Sequence, residues 1–294
     1  MRAAVIGAGL MGAQIGVEYA FGGHAVTLHA RDLDAVQARV DAATALLSSH
    51  SLRTADDVAA AARRMTPTAD LATAARGAEI LVESLPEDLE LKTTLLRAAI
   101  AAAGQDVVVL TNTSSLSITS IGDAIGAPER TVGAHYLNPP LLMPPVEVIA
   151  GTRTSEETVA RAFETLAALG KLPIVVDRDV PGFIWNRLQF ALVRECAWLV
   201  ENHVAAAEDV DTAVREGLAR RWRHVGPLRA IALGGVETWN RSGRNILPEL
   251  STRPDLPDLR QIAITDGDVV ADIAARDEAL ARELRDDYPT EVFP

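Results

Sequence analysis

The first twelve residues constrain this chain most. A short apolar run, Ala3 to Ile6, leads directly into Gly7-x-Gly9-x-x-Gly12. An apolar helical pattern follows at Ile15, Val17, Ala20 and Phe21. The order is strand, tight glycine turn, helix. Gly7 permits the turn, Gly9 lets the backbone approach a pyrophosphate, and Gly12 lets helix and strand pack closely. The N–H groups of the first helical turn, from Leu10 and Met11 onward, are then offered to phosphate oxygens. A glycine triplet alone occurs by chance. Set between an evident strand and an evident helix, it predicts a dinucleotide site at Gly7, Gly9, Leu10, Met11 and Gly12.

The pattern continues as alternating strands and helices. Strands are expected at 25–30, 80–83, 107–111, 131–135, 146–150 and 172–176, and helices at 33–48, 89–103 and 155–169, with Ser155 as an N-cap. Asp179-Val-Pro181-Gly182 breaks the series. Beyond it only helical patterns occur, at 183–204, 207–221, 226–233 and 276–286. The expected fold is therefore α/β: a Rossmann-type doubly wound sheet domain over 1–178, followed by an all-helical domain over 179–294.

Composition narrows the function. Net charge is −12 and no basic run suits nucleic acid. No apolar stretch approaches the ~20 residues that span a bilayer. Cys196 is the sole cysteine, so neither a disulfide nor a cysteine-based metal site is expected, and a reducing cytoplasm suits the chain.

Oxidation of a hydroxyl group needs a base that accepts its proton, and histidine serves near neutral pH. Of six histidines, His135 ends a strand at the carboxyl edge of the sheet, where ligands sit in such folds, and the other five lack a nearby carboxylate in their sequence context. Glu147 lies in the next strand, and a return through Asn138-Pro139-Pro140 can bring it beside His135. A carboxylate there fixes the tautomer of the imidazole and stabilises its charged form. Asn112-Thr113-Ser114-Ser115 follows another strand end and offers hydroxyls to a ligand. The alternative is a helix cap for 118–125, which Ser117 could also supply. Asn186 stands among apolar residues in Pro181-Gly-Phe-Ile-Trp-Asn186, where a hydrogen bond to a developing alkoxide explains it.

Together these pieces resemble the 3-hydroxyacyl-CoA dehydrogenase superfamily. The matching segments are 7–12, Val-Glu-Ser-Leu-Pro-Glu-Asp-Leu-Glu-Leu-Lys (82–92), Asn-Thr-Ser-Ser-Leu (112–116), His-Tyr-Leu-Asn-Pro-Pro (135–140), Val-Glu-Val (146–148) and Pro-Gly-Phe-Ile-Trp-Asn-Arg-Leu (181–188). The resemblance implies that His135 is the base and Glu147 its partner. It also implies that Ser114 and Asn186 touch substrate, that Glu87, Lys92 and Asn138 line the cofactor, and that the helical domain mediates a homodimer. Residues 186–192 and 216–228 resemble the branch that holds lambda-crystallin, L-gulonate 3-dehydrogenase and carnitine dehydrogenase, whose enzymes act on free small hydroxy acids. In that branch Arg221 would grip the substrate carboxylate with two parallel bonds.

The family usually ends its second strand with an acid that binds the adenosine ribose. Ala30 and Arg31 occupy that place, a pattern that accommodates a 2′-phosphate, so NADP is expected as well as NAD. Asp32 or Asp34 could take the ribose role instead. Two other functions compete with a small-acid dehydrogenase. One is a 3-hydroxyacyl-CoA dehydrogenase, disfavoured because 33–62 carries only Arg39 and Arg53 to meet a CoA phosphate. The other is a non-catalytic protein of the crystallin kind, disfavoured by the intact polar set.

Overall fold

The computed structural model describes residues 1–259, 262–264 and 268–287. These form two units. One comprises residues 1–184 and the described residues from 273 on; the other comprises 185–272.

The first unit is built on one eight-stranded sheet: β1 (Arg2–Ile6), β2 (Ala25–His29), β3 (Met65–Thr68), β4 (Ile80–Glu83), β5 (Val108–Thr111), β6 (Thr131–Tyr136), β7 (Pro145–Ala150) and β8 (Leu172–Val176). The spatial order is β3-β2-β1-β4-β5-β6-β7-β8. Every pairing is parallel except β6 with β7. The order reverses at β1, so the crevice outside its carboxyl end is the expected ligand site.

Helices α1 (Leu10–Phe21), α2 (Leu33–Ser49), α3 (Ala55–Ala62), α4 (Leu71–Ala75), α5 (Leu89–Ala103), α6 (Ile118–Ile125) and α7 (Glu156–Ala168) connect the strands. The inner strands β1, β4, β5, β6 and β7 are buried on both faces, and β1, β4 and β5 read as largely apolar runs. Ile15, Val17, Leu28 and Val36 join one core cluster, and Ile6, Leu81, Leu96 and Ile121 join another. Acidic and hydroxyl side chains start six of the seven helices: Asp32, Thr54, Asp70, Asp88, Ser117 and Ser155 each accept a first-turn N–H. Ser117, not the 112–115 cluster, therefore caps α6.

The second unit holds α8 (Trp185–Glu201), α9 (Ala207–Thr212), a wide π-helical stretch at Ala213–Ala219, α10 (Arg220–Trp222), α11 (Pro227–Gly234) and α12 (Val236–Ile246). The region expected as one helix over 207–221 is thus split by the wide turn. The last described helix, α13 (Val269–Asp287), departs from the expected 179–294 grouping. Its Ala281 and Leu284 pack on Leu142 in the sheet unit. Burial of that apolar contact draws the helix back, and sequence order carries no sign of it. Among the described residues no helix is long and apolar enough to cross a membrane.

Candidate active site

The glycine turn forms a cradle made of backbone. Gly7 sits at φ +98°, and a Cβ added there would lie 2.6 Å from the Ser84 carbonyl oxygen. A Cβ on Gly12 would lie 2.2 Å from the Gly7 carbonyl oxygen. Both positions exclude any side chain. Gly9 is the opposite case: a Cβ there would meet nothing within 4 Å. The space in front of Gly9 is therefore open to a ligand. Among α1 to α7, α1 alone starts without a side-chain cap, so its first N–H groups face the place where a pyrophosphate would lie. These features fit a dinucleotide. At the ribose end, Arg31 is exposed, while Asp32 accepts the Ala35 N–H at 2.9 Å as the cap of α2.

At the ends of β4 and β5 lies a charged network. Glu83 is fully buried. Its carboxylate accepts the Lys92 ammonium at 2.6 Å, the Leu85 N–H at 2.5 Å and the Thr111 hydroxyl at 2.6 Å. Lys92 also donates to the Leu85 carbonyl at 3.2 Å and meets Glu87 at 3.2 Å. Its three donors are thus spent and only 1% of its side chain is exposed. Lys92, implied by the resemblance to line the cofactor, lies buried next to Glu87 and holds that carboxylate in place. The Glu87 carboxylate in turn accepts the Thr113 hydroxyl at 2.6 Å and the Ser114 and Ser115 N–H groups, each at 2.8 Å. Burial pushes its pKa up, but the Thr113 hydroxyl, Lys92 and these N–H groups more than offset it and hold the carboxyl at about 2. Glu87 is thereby the post around which the Ser114 loop winds. Asn112 accepts the Tyr136 N–H at 2.8 Å and ties this loop to β6.

His135 and Glu147 occupy paired positions on β6 and β7. The imidazole Nδ1 lies 2.6 Å from Glu147 Oε2, and both residues are buried, at 4% and 3% exposure. The other carboxylate oxygen accepts the Ile184 N–H at 2.8 Å. That N–H is presented by the turn Pro181–Ile184, in which Gly182 and Phe183 have φ of +79° and +47°. A left-handed Phe is costly and is maintained where the surroundings demand it. Here Phe183 is buried and its ring meets the His135 ring edge-on at 5.6 Å. Sequence reasoning missed Phe183 and Ile184 as supports, although Pro181-Gly182 signalled the turn that presents them. Asn138 is exposed on the connection after β6, before a cis peptide to Pro139.

The structure thus brings His135, near the carboxyl end of β6, together with Glu147, near the amino end of the antiparallel β7, and brings Ser114, Glu87 and Lys92 together beyond the carboxyl ends of β4 and β5. Asn186 and Arg221 lie in the second unit, Asn186 as the second residue of α8 and Arg221, exposed, within α10. Among the described residues no group of three or more His, Cys, Asp or Glu could hold a metal ion.

Comparison with known proteins agrees over most of the chain. Residues 2–180 match the model of the 3-hydroxyacyl-CoA dehydrogenase NAD-binding domain, and 182–257 match that family's C-terminal domain. The 5-formyl-3-hydroxy-2-methylpyridine 4-carboxylate 5-dehydrogenase of Mesorhizobium japonicum is 35% identical over 86% of this chain and 82% of its own. The L-carnitine dehydrogenase of Streptomyces coelicolor is 37% identical over 80% and 74%. A crystal structure of a 5-formyl-3-hydroxy-2-methylpyridine 4-carboxylic acid 5-dehydrogenase, described as an NAD+-dependent dismutase, superposes with a TM-score of 0.87. It covers 97% of each chain at 30% identity. The glycine cradle, the two family segments in order and these relatives establish that the chain is an oxidoreductase of the 3-hydroxyacyl-CoA dehydrogenase family.

Proposed function

We propose that the protein oxidises the hydroxyl group of a small free 3-hydroxy acid, with His135 as general base. The observation that carries this reading is the buried 2.6 Å contact between His135 Nδ1 and Glu147 Oε2. With Nδ1 held by the carboxylate, Nε2 takes the substrate proton, and Glu147 stabilises the imidazolium that forms. The nicotinamide, when bound, supplies the hydride acceptor. Gly7, Gly9, Leu10, Met11 and Gly12 hold its pyrophosphate, Ala30 and Arg31 meet its ribose end, and Glu87 and Asn138 line it. NAD is accepted, and Arg31 lets NADP bind as well. Ser114 and Asn186 hydrogen-bond the reacting oxygen, and Arg221 grips the substrate carboxylate. The active form is a homodimer, and a reducing cytoplasm suits its single thiol.

Two findings support a free acid over a thioester. The stretch 33–62 is poor in cations that would meet a CoA phosphate, and two of the relatives above are named for small compounds, one of them a carboxylate. The test follows nicotinamide absorbance with gulonate, carnitine, 3-hydroxybutyrate and acetoacetyl-CoA. Higher kcat/KM for at least one free acid is expected. A preference for acetoacetyl-CoA overturns the substrate class, and no turnover with any compound in a broad hydroxy-acid panel favours a non-catalytic role.

A further inference from the structure

The chain has only two lysines. One is Lys92. The other, Lys171, precedes β8 and is buried at a place far from the glycine cradle in sequence. Its ammonium forms an ion pair with Glu18 on α1, donates to the Pro140 carbonyl at 2.6 Å and lies 3.3 Å from the Met143 carbonyl. Both side chains are nearly inaccessible. Burying two charges is costly and brings little net stability, so a packed apolar pair would serve a merely structural role as well.

The arrangement has a direction. Pro140 and Met143 belong to the connection 137–144, which leaves β6 just after His135 and enters β7 just before Glu147. Pro140 is two residues beyond Asn138. Lys171 fixes this connection at two carbonyls, and the Leu172 N–H bonds the Pro144 carbonyl at 2.9 Å beside it. Glu18 anchors the ammonium to α1, the helix whose other end faces the pyrophosphate. A single α1 side chain thus reaches, through one ammonium, the chain segment that joins the base to its carboxylate. Tyr136 completes the enclosure, with its ring centre 5.8 Å from the ammonium. Burial raises the pKa of Glu18, and the adjacent Lys171 opposes that rise.

We infer that Glu18 and Lys171 are positioning residues for the hydride-transfer site: Lys171 holds the 137–144 connection so that His135 and Asn138 keep their places relative to α1. This rests on the reading of His135 as the base. Misplacement of reacting groups by about 1 Å costs up to ~100-fold in rate.

The test compares Lys171→Met, Glu18→Gln, Glu18→Gln/Lys171→Met and Lys171→Gln with His135→Ala. Each is assayed for kcat, KM, NAD affinity and Tm. The double variant leaves no unpaired charge, so its Tm should lie near wild type while kcat falls ~10- to 100-fold and NAD affinity holds. Glu18→Gln keeps the ammonium on both carbonyls but loosens its tie to α1, and should lose less kcat than Lys171→Met. Lys171→Gln retains one short donor and should show a smaller loss than Lys171→Met. If the double variant recovers both Tm and kcat, the pair is structural only and the inference fails. If the double variant does not fold, Lys171→Gln decides, and wild-type kcat there overturns the inference. Loss in His135→Ala with full turnover in the double variant rejects this inference alone. Full turnover in His135→Ala rejects the mechanism on which it rests.

Discussion

His135 and Glu147 stand opposite each other on the one antiparallel pair of strands in the sheet, and their side chains meet at 2.6 Å. The register of that ladder sets the contact, because directly opposed side chains share a face. A general base contributes ~100-fold or more to turnover. His135→Ala should therefore lower kcat by at least that factor with NAD affinity near normal. Glu147→Gln should act in the same direction, since it removes the charge that stabilises the imidazolium. Turnover within a few-fold of wild type for His135→Ala would end the mechanism.

Glu87 titrates far below an ordinary carboxyl, at about 2 against 4.5. Its folded pKa is depressed, so its contribution to stability is fully present above about 4.5 and is lost as pH falls through about 2. Glu87→Gln should consequently flatten the fall of Tm with acid in that window. The same variant should disturb the Ser114 loop and raise substrate KM, because a neutral amide cannot accept all the bonds that the carboxylate now accepts. An unchanged acid profile would show that Glu87 is not held by those donors.

Arg31 is exposed just beyond β2, and Ala30 beside it offers the ribose hydroxyls no acid. NADP should accordingly bind at least as well as NAD, and Arg31→Ala should weaken NADP alone. Fluorescence titration with both cofactors settles the point. A strong NAD preference indifferent to Arg31→Ala would refute it.

Much of this architecture is legible in the sequence, and for identifiable reasons. The doubly wound order follows from apolar runs separated by helical periods, and the dyad follows from a strand, a short return and a second strand. Other parts leave no such trace. β3 is an edge strand with Pro67 inside it, tolerated because only one side is paired. The burial of Lys92 depends on Glu83, a carboxylate inside an apolar strand, whose partners come from three separate segments. Likewise, nothing local in α13 tells that Ala281 and Leu284 face Leu142. These are long-range contacts, and single-residue patterns do not encode them.

Arg221 is exposed in α10, and Trp222 beside it is half-buried. Hydrogen bonds to charged groups contribute about 1.5–3 kcal/mol. Arg221→Met should thus raise KM for a free acid ~10- to 100-fold by that estimate, with NAD affinity unchanged. Wild-type KM in the variant would remove Arg221 from substrate recognition.

The second unit leaves Leu228, Leu233, Val236, Trp239, Ile246 and Leu247 exposed, Leu228 at 81%. Apolar exposure on this scale marks a contact surface, and a second copy of the chain is the partner proposed. Sedimentation should give about twice 31.3 kDa. Leu233→Glu combined with Leu247→Glu should shift the mass toward one chain. A wild-type protein that sediments as a single chain overturns this.

Both lysines of the chain are enclosed in ion pairs with glutamates. An amine-directed reagent therefore finds both of these side chains shielded in the folded sheet unit. Labelling of either lysine in a pulse experiment counts molecules in which its enclosure has opened, so these two side chains serve as built-in reporters of local or global unfolding.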